Sequence, residues 1–199
     1  VVLALLGALS RLSRNPVAYG IAGFYVSFFR GTPLIVQMFL LYLALPPVGR
    51  NLATQYSWLP EGFDEALLLD AATAGTIALG LNYGAYMTEI FRAGIESIPK
   101  GQWEAARALG IRPFSVMSRI ILPQSMRVII PPTGNQFISM LKDSSLVSVV
   151  GVWELMYLAR TQGQTEFRHI EMMVTASLIY WLISIVLELL QKRIETHFN

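Results

Sequence analysis

Cysteine is missing from all 199 residues of the chain. That absence excludes a disulfide framework, a cysteine-ligated metal and thiol chemistry. Histidine is nearly as scarce, with only His169 and His197. Neither stands at ligand spacing from a second histidine or cysteine, which argues against a metal centre. Charged residues make up 14% of the chain, against the roughly 25% usual in soluble domains. Gly94, Gly101 and Gly110 do not build the Gly-x-x-x-x-Gly-Lys-Ser/Thr loop that cradles nucleotide phosphates, so the chain does not hydrolyse ATP by that route. Ser144 and Ser145 have no histidine within the same apolar stretch to act as base, which disfavours an intramembrane hydrolase. Long internal repeats and low-complexity tracts are also missing.

Apolar residues, by contrast, make up 54% of the chain. They gather into runs approaching the roughly 20 residues that cross a bilayer as a helix. The runs predict an all-α membrane protein with five transmembrane helices at about residues 1–9, 17–45, 66–90, 128–153 and 172–190, forming one transmembrane domain over 1–199. The first run is too short to span as it stands. With no basic leader and no small-residue cleavage pattern, it reads as the end of a span, in a chain expected either to lack its natural start or to follow a longer precursor. The second contains Arg30 and Pro33, so its first part is expected at the interface, with the span beginning near Thr32. Snorkelling then accounts for Arg30 at the cytoplasmic border. Pro131-Pro132 is expected to break the fourth run near its start, and Lys142-Asp143 in its middle. Lys and Arg counts in the successive connections and the tail run two, one, six, two and two. The positive-inside rule then puts the central loop and the C-terminus in the cytoplasm and the start of the first span outside. Tyr56 and Trp58 suit an outer interfacial belt.

The central loop, 92–127, carries six basic residues (Arg92, Lys100, Arg107, Arg112, Arg119, Arg127) against Glu96 and Glu104. Its punctuation predicts two short helices. Pro99 and Gly101 open the first, which runs to about Leu109, and Gly110 takes the left-handed position past its end. Pro113 opens the second, and Pro123 interrupts or ends it. Inside this stretch the pattern Glu104-Ala105-Ala106, three residues, Gly110, nine residues, Ile120, one residue, Leu122-Pro123 resembles the EAA motif of ABC-importer permeases. The flanking Ser97-Ile98-Pro99-Lys100-Gly101-Gln102-Trp103, together with Arg30-Gly31-Thr32-Pro33-Leu34 and Leu141-Lys142-Asp143-Ser144-Ser145-Leu146, resembles the polar amino acid branch, relatives of the histidine and glutamine uptake systems.

The resemblance implies a permease subunit of an ATP-driven importer in the cytoplasmic membrane. It implies partners: ATP-binding cassette ATPase subunits, a second permease copy or paralogue, and an extracytoplasmic substrate-binding protein or domain. No cofactor is expected on this chain, with ATP and Mg on the partner ATPase. The first short helix becomes a coupling helix, with Trp103, Glu104, Ala105, Ala106, Arg107 and Gly110 as the ATPase-coupling residues.

Charge in hydrocarbon is costly, so intramembrane polar groups should face protein or a water-filled path. Gln136, Ser139 and Asp143 share one helical face, extended by Ser144, Ser145 and Glu154. This set is the candidate substrate pathway. Lys142-Asp143 reads equally as a structural ion pair or a contact to a partner helix, and the family resemblance favours the pathway. Glu89 and Arg92 read as an interfacial salt bridge or, less directly, a gate. Asn82, Tyr83 and Tyr86 read as interhelical hydrogen-bonders or path lining. Asp143 suits a cationic amino acid, while Lys142 and Gln136 allow glutamine or an acidic one. The alternative class is a stand-alone secondary transporter or channel using Asp143 and Glu89, although no inverted repeat supports it.

Overall fold

The computed structural model describes residues 1–56 and 58–198, with side chains through residue 196, so the side chain of His197 lies outside the described residues. Those residues form helices joined by short connections, with no strand among them. The helices are α1 (Val2–Leu12), α2 (Pro16–Gly31), α3 (Leu34–Phe39), α4 (Leu45–Gln55), α5 (Phe63–Ala66), α6 (Ala71–Glu96), α7 (Lys100–Ala108), α8 (Pro113–Val116), α9 (Leu122–Asp143), α10 (Leu155–Thr165) and α11 (His169–Phe198). Two have the length and composition of a membrane-crossing segment: Leu34–Gln55, with mean hydropathy 1.2, and His169–Thr196, with 2.0.

Helix starts follow local side-chain chemistry. Asn15 Oδ1 accepts from the Val17 and Ala18 amides, and Pro16 opens α2. Asp70 caps α6 through the Ala72 and Thr73 amides, so its carboxylate has a structural task. Glu154 caps α10 through the Met156 and Tyr157 amides.

Two helix joints depart from the α form. Leu40–Ala44 is a π-helical turn between α3 and α4, with the Leu45 amide donating to Leu40 O. Met117–Ile121 is another between α8 and α9, with the Leu122 amide donating to Met117 O. Each ends two residues before a proline, Pro46 or Pro123. A proline ring clashes with the carbonyl four residues back, and a wide turn moves that carbonyl aside. Pro123 therefore does not end the second short helix. That helix runs on through the π turn into α9, which corrects the expectation that the second helix is short. Pro131 and Pro132 lie inside α9 without breaking it. Gln191 Nε2 donates to the Pro131 carbonyl at 3.1 Å, tying α11 to α9 beside the two prolines. The α-helix does end at Asp143, passing into a 3-10 segment, Ser144–Val150.

The other span limits shift as well. The 17–45 run divides at Thr32-Pro33, and its second part extends as helix to Gln55. Residues 66–70 precede α6, which continues past 90 to Glu96.

The chain comprises two compact units. In the first (1–28, 83–139, 184–199) α1 runs parallel to α6, with Leu3 near Gly84 and Gly7 near Thr88. A Cβ at Gly7 would lie 2.4 Å from Thr88 Oγ1, so glycine is what allows the approach. In the second (29–82, 140–183) buried Met38, Ala78 and Val150 form the core with Leu34, Phe39, Leu146 and Val147 around them.

Candidate functional site

The α7 region has two faces. Inward, Ala106 is 2% exposed and joins Ile95, Ile98, Val116 and Ile121 in a core cluster, with Leu12, Trp103, Ile111 and Met117 against it. The helix is thus fastened to the ends of α1 and α6 and to the start of α8–α9. Its end is a Schellman motif. The Ile111 amide donates to Ala106 O at 3.1 Å and the Gly110 amide to Arg107 O at 2.9 Å. Gly110 has φ +66, a region that glycine enters without a Cβ penalty. Outward, Lys100, Trp103, Glu104 and Arg107 line a shallow cavity of about 340 Å³. Their spacing of three, four and seven residues puts them on one face. Glu104, Ala105, Arg107 and Gly110 are exposed and Trp103 is half-buried, whereas Ala106 packs into the chain's own core.

Above α7 sits an ion-pair chain. Arg92 donates to Glu89 at 2.7 and 3.1 Å and to Glu96. Hydrogen bonding to Glu89, above all, holds the Arg92 guanidinium above its already high range. Arg11 Nε lies 3.7 Å from Glu89 Oε1, and its guanidinium covers the Tyr19 ring at 4.3 Å. The Glu89–Arg92 pair expected from their spacing is therefore present, with Glu96 and Arg11 as further members.

The predicted pathway residues fall in both units. Gln136 and Ser139 lie half-buried on α9 in the first, and Asp143, Ser144, Ser145 and Glu154 in the second. Ser144 Oγ donates to Leu141 O at 2.6 Å and Ser145 Oγ to Lys142 O at 2.7 Å. These are local bonds at the end of α9. Glu154 is the most committed: besides capping α10, it accepts from Tyr180 Oη at 2.7 Å.

One polar cluster escaped the sequence reading. Gln37, 2% exposed, donates from Nε2 to Phe29 O, Thr32 O and Thr32 Oγ1 at 3.0, 3.1 and 2.8 Å. Asn82 Nδ2 donates to Phe29 O at 2.8 Å and to Gln37 Oε1 at 3.2 Å. Residues eight apart in a continuous helix are about 12 Å apart along its axis. The direct bond between Gln37 and Phe29 therefore shows the chain turning at Gly31–Pro33. The only sequence signal was Gly-Thr-Pro inside an apolar run, with a glutamine four residues after the proline. Asn82 is the interhelical hydrogen-bonder that its position suggested. Among the described residues no group of His, Asp and Glu is close enough to hold a metal ion.

The chain is 39% identical over its whole length to the L-cystine transport system permease protein of Bacillus subtilis, covering 78% of that protein. It is 41% identical to the arginine transport system permease protein of Corynebacterium glutamicum, again along its whole length, covering 62% of that protein. Among solved structures, an amino acid ABC transporter crystallised with histidines aligns over 99% of this chain and 84% of its own, at 34% identity and a TM-score of 0.81. Residues 1–199 match one family throughout, and the chain belongs to it: the binding-protein-dependent transport system inner membrane components.

Proposed function

We propose that the chain is one of two permease subunits of an ATP-driven importer carrying a polar amino acid inward across the cytoplasmic membrane. Relatives named for cystine, arginine and glutamine support that substrate class. The chain crosses the membrane five times, with α7 and the C-terminus in the cytoplasm. Captured solute arrives from an extracytoplasmic binding protein or domain. Hydrolysis of ATP, with Mg, takes place on the partner ATPase.

The observation that carries this reading is the two-faced α7. Trp103, Glu104, Ala105, Arg107 and Gly110 form the docking surface, and Ala106 holds that surface to the chain from beneath. The cluster around Ile95, Ile98 and Ile121 passes displacement of α7 to α6 and α9 as a packed unit, because close-packed cores do not deform continuously. Gln136, Ser139 and Asp143 on α9, with Ser144, Ser145 and Glu154 following, line or support the pathway. Of these, Glu154 acts through the α10–α11 connection that it braces.

The test is co-purification of the ATPase with Ala105→Trp and Glu104→Arg, both at exposed positions where the fold tolerates the change. Both variants should lose the ATPase and uptake together while remaining monodisperse. Full retention of the ATPase would refute the docking face.

A further inference from the structure

Among the described residues, those with positive φ are glycines with one exception. Gly62, Gly110 and Gly151 are joined by Phe167, at φ 55. Phe167 directly follows Glu166, the C-cap of α10. The Arg168 amide donates to Gly163 O at 3.0 Å, which closes the helix as a Schellman motif. Glycine fits the left-handed position of that motif freely, whereas a Cβ there crowds the following carbonyl. Phe167 carries a second cost. It is 90% exposed, more than any other large apolar side chain described. A ring so exposed gains no burial in the chain itself that could offset either cost.

The turn that presents the ring is held firmly. Gly163 is buried, and a Cβ on it would lie 3.1 Å from His169 Cα, so the end of α10 lies close against the start of α11. Tyr180 Oη donates to Glu154 at 2.7 Å, which braces the other end of α10 on α11. The surface around the ring is polar. Gln164, Thr165, Glu166, Arg168 and Glu171 are all exposed, and Arg168 pairs with Glu171 at 3.5 Å. Ile170, 78% exposed, adds a second apolar side chain to the turn. Sinking the ring into hydrocarbon would take these charges with it. The aromatic residues that suit the headgroup layer are tryptophan and tyrosine, whose rings carry a polar tip. An exposed phenyl ring within a charged rim is instead the pattern of a protein–protein anchor. Backbone strain of this kind persists where function requires it.

We infer that Phe167 is a docking anchor for the extracytoplasmic binding protein, filling an apolar pocket on that partner with Ile170 beside it. This rests on the reading of the chain as an importer subunit, in which α7 and the C-terminus are cytoplasmic and the α10–α11 connection faces outward. Transport in the family to which the chain belongs depends on a binding protein, so the chain needs an outer surface that receives one. Because the turn is already closed, docking has little ordering cost left to meet.

The test sets stability against docking. Phe167→Gly removes the ring and the strain together, so this variant should melt higher than the unsubstituted chain and yet import less well. The assembled permease–ATPase complex is placed in proteoliposomes. Uptake of labelled L-arginine, L-glutamine or L-cystine is followed while soluble binding protein loaded with that amino acid is added at graded concentrations. In Phe167→Gly the half-saturating concentration of binding protein should rise by roughly fivefold or more, the scale of one lost anchor. Uptake at saturation and co-purification of the ATPase should be unchanged, and Phe167→Tyr, which keeps the ring, should stay near the unsubstituted complex. Independently, p-benzoylphenylalanine at position 167 should crosslink to the binding protein on illumination. An unchanged half-saturating concentration in Phe167→Gly, or crosslinks to lipid or to the second permease alone, would overturn the assignment. Uptake by the unsubstituted complex tells the two failures apart: if it takes up none of the three amino acids, the importer reading falls and the docking anchor with it.

Discussion

Helix α6 carries two glycines whose replacement by alanine should have opposite effects. At Gly94 a Cβ would stand 2.3 Å from Ile129 Cγ1 and 3.0 Å from its Cδ1. Ile129 is 4% exposed and β-branched, so it has few rotamers into which it can retreat. Overpacking of this kind costs about 1–3 kcal/mol. Alanine returns about 1 kcal/mol of helix propensity, which leaves a net loss of up to about 2 kcal/mol. At Gly80 nothing lies within 4 Å of the added Cβ. Only the propensity gain of up to about 1 kcal/mol remains there. For a chain of this size, each kcal/mol moves the melting temperature by about 2–4 °C. Thermal unfolding of the solubilised chain, followed by size-exclusion chromatography after heating, should place Gly94→Ala below and Gly80→Ala above the unsubstituted protein. A Gly94→Ala chain that melts higher than Gly80→Ala would refute the packing argument, because propensity alone predicts equal gains.

The other expectations use the same measurement. Gly110→Ala forces a Cβ into φ +66 and should cost about 1 kcal/mol, loosening α7 enough to raise proteolysis after Arg107 or Arg112. Phe167 occupies the matching position after α10, with φ 55 and the Arg168 amide on Gly163 O, so Phe167→Gly should gain a similar amount. Glu154→Ala removes the α10 cap and the Tyr180 partner together and should cost about 2–4 kcal/mol, more than Tyr180→Phe, which leaves the cap in place. Deleting exposed Arg119 shortens the π turn to an α turn and brings back the clash at Pro123. Its loss of stability should be partly recovered by adding Pro123→Ala.

Much of the fold was legible because the chain is punctuated. Pro99 and Gly110 each mark a helix end through local chemistry, and each marks it correctly. The span limits were less legible because hydropathy reports apolar content and not helix continuity. Leu34–Gln55 continues as helix through Pro46-Pro47-Val48-Gly49, where composition suggests an approaching loop. The π turns also left a trace. Buried Val116, Ile121, Ser125 and Ile129 are spaced five, four and four residues apart. That one long step is what a π turn supplies to keep the buried stripe on a single face. Sequence periodicity read with a fixed α period passes over it. Gln37 was not legible, because its role depends on a carbonyl eight residues back and on Asn82, 45 residues away.

The same partition explains why the polar residues of the predicted pathway are not equivalent. A polar side chain inside a membrane protein either satisfies another group of the chain or remains available to a solute. Asp70 and Glu154 hold helix N-termini, Gln37 and Asn82 hold the break, Ser144 and Ser145 bond back to their own helix, and Glu89 joins Arg11 and Arg92. Each of these could be mistaken for a transport site when only residue type and depth are known.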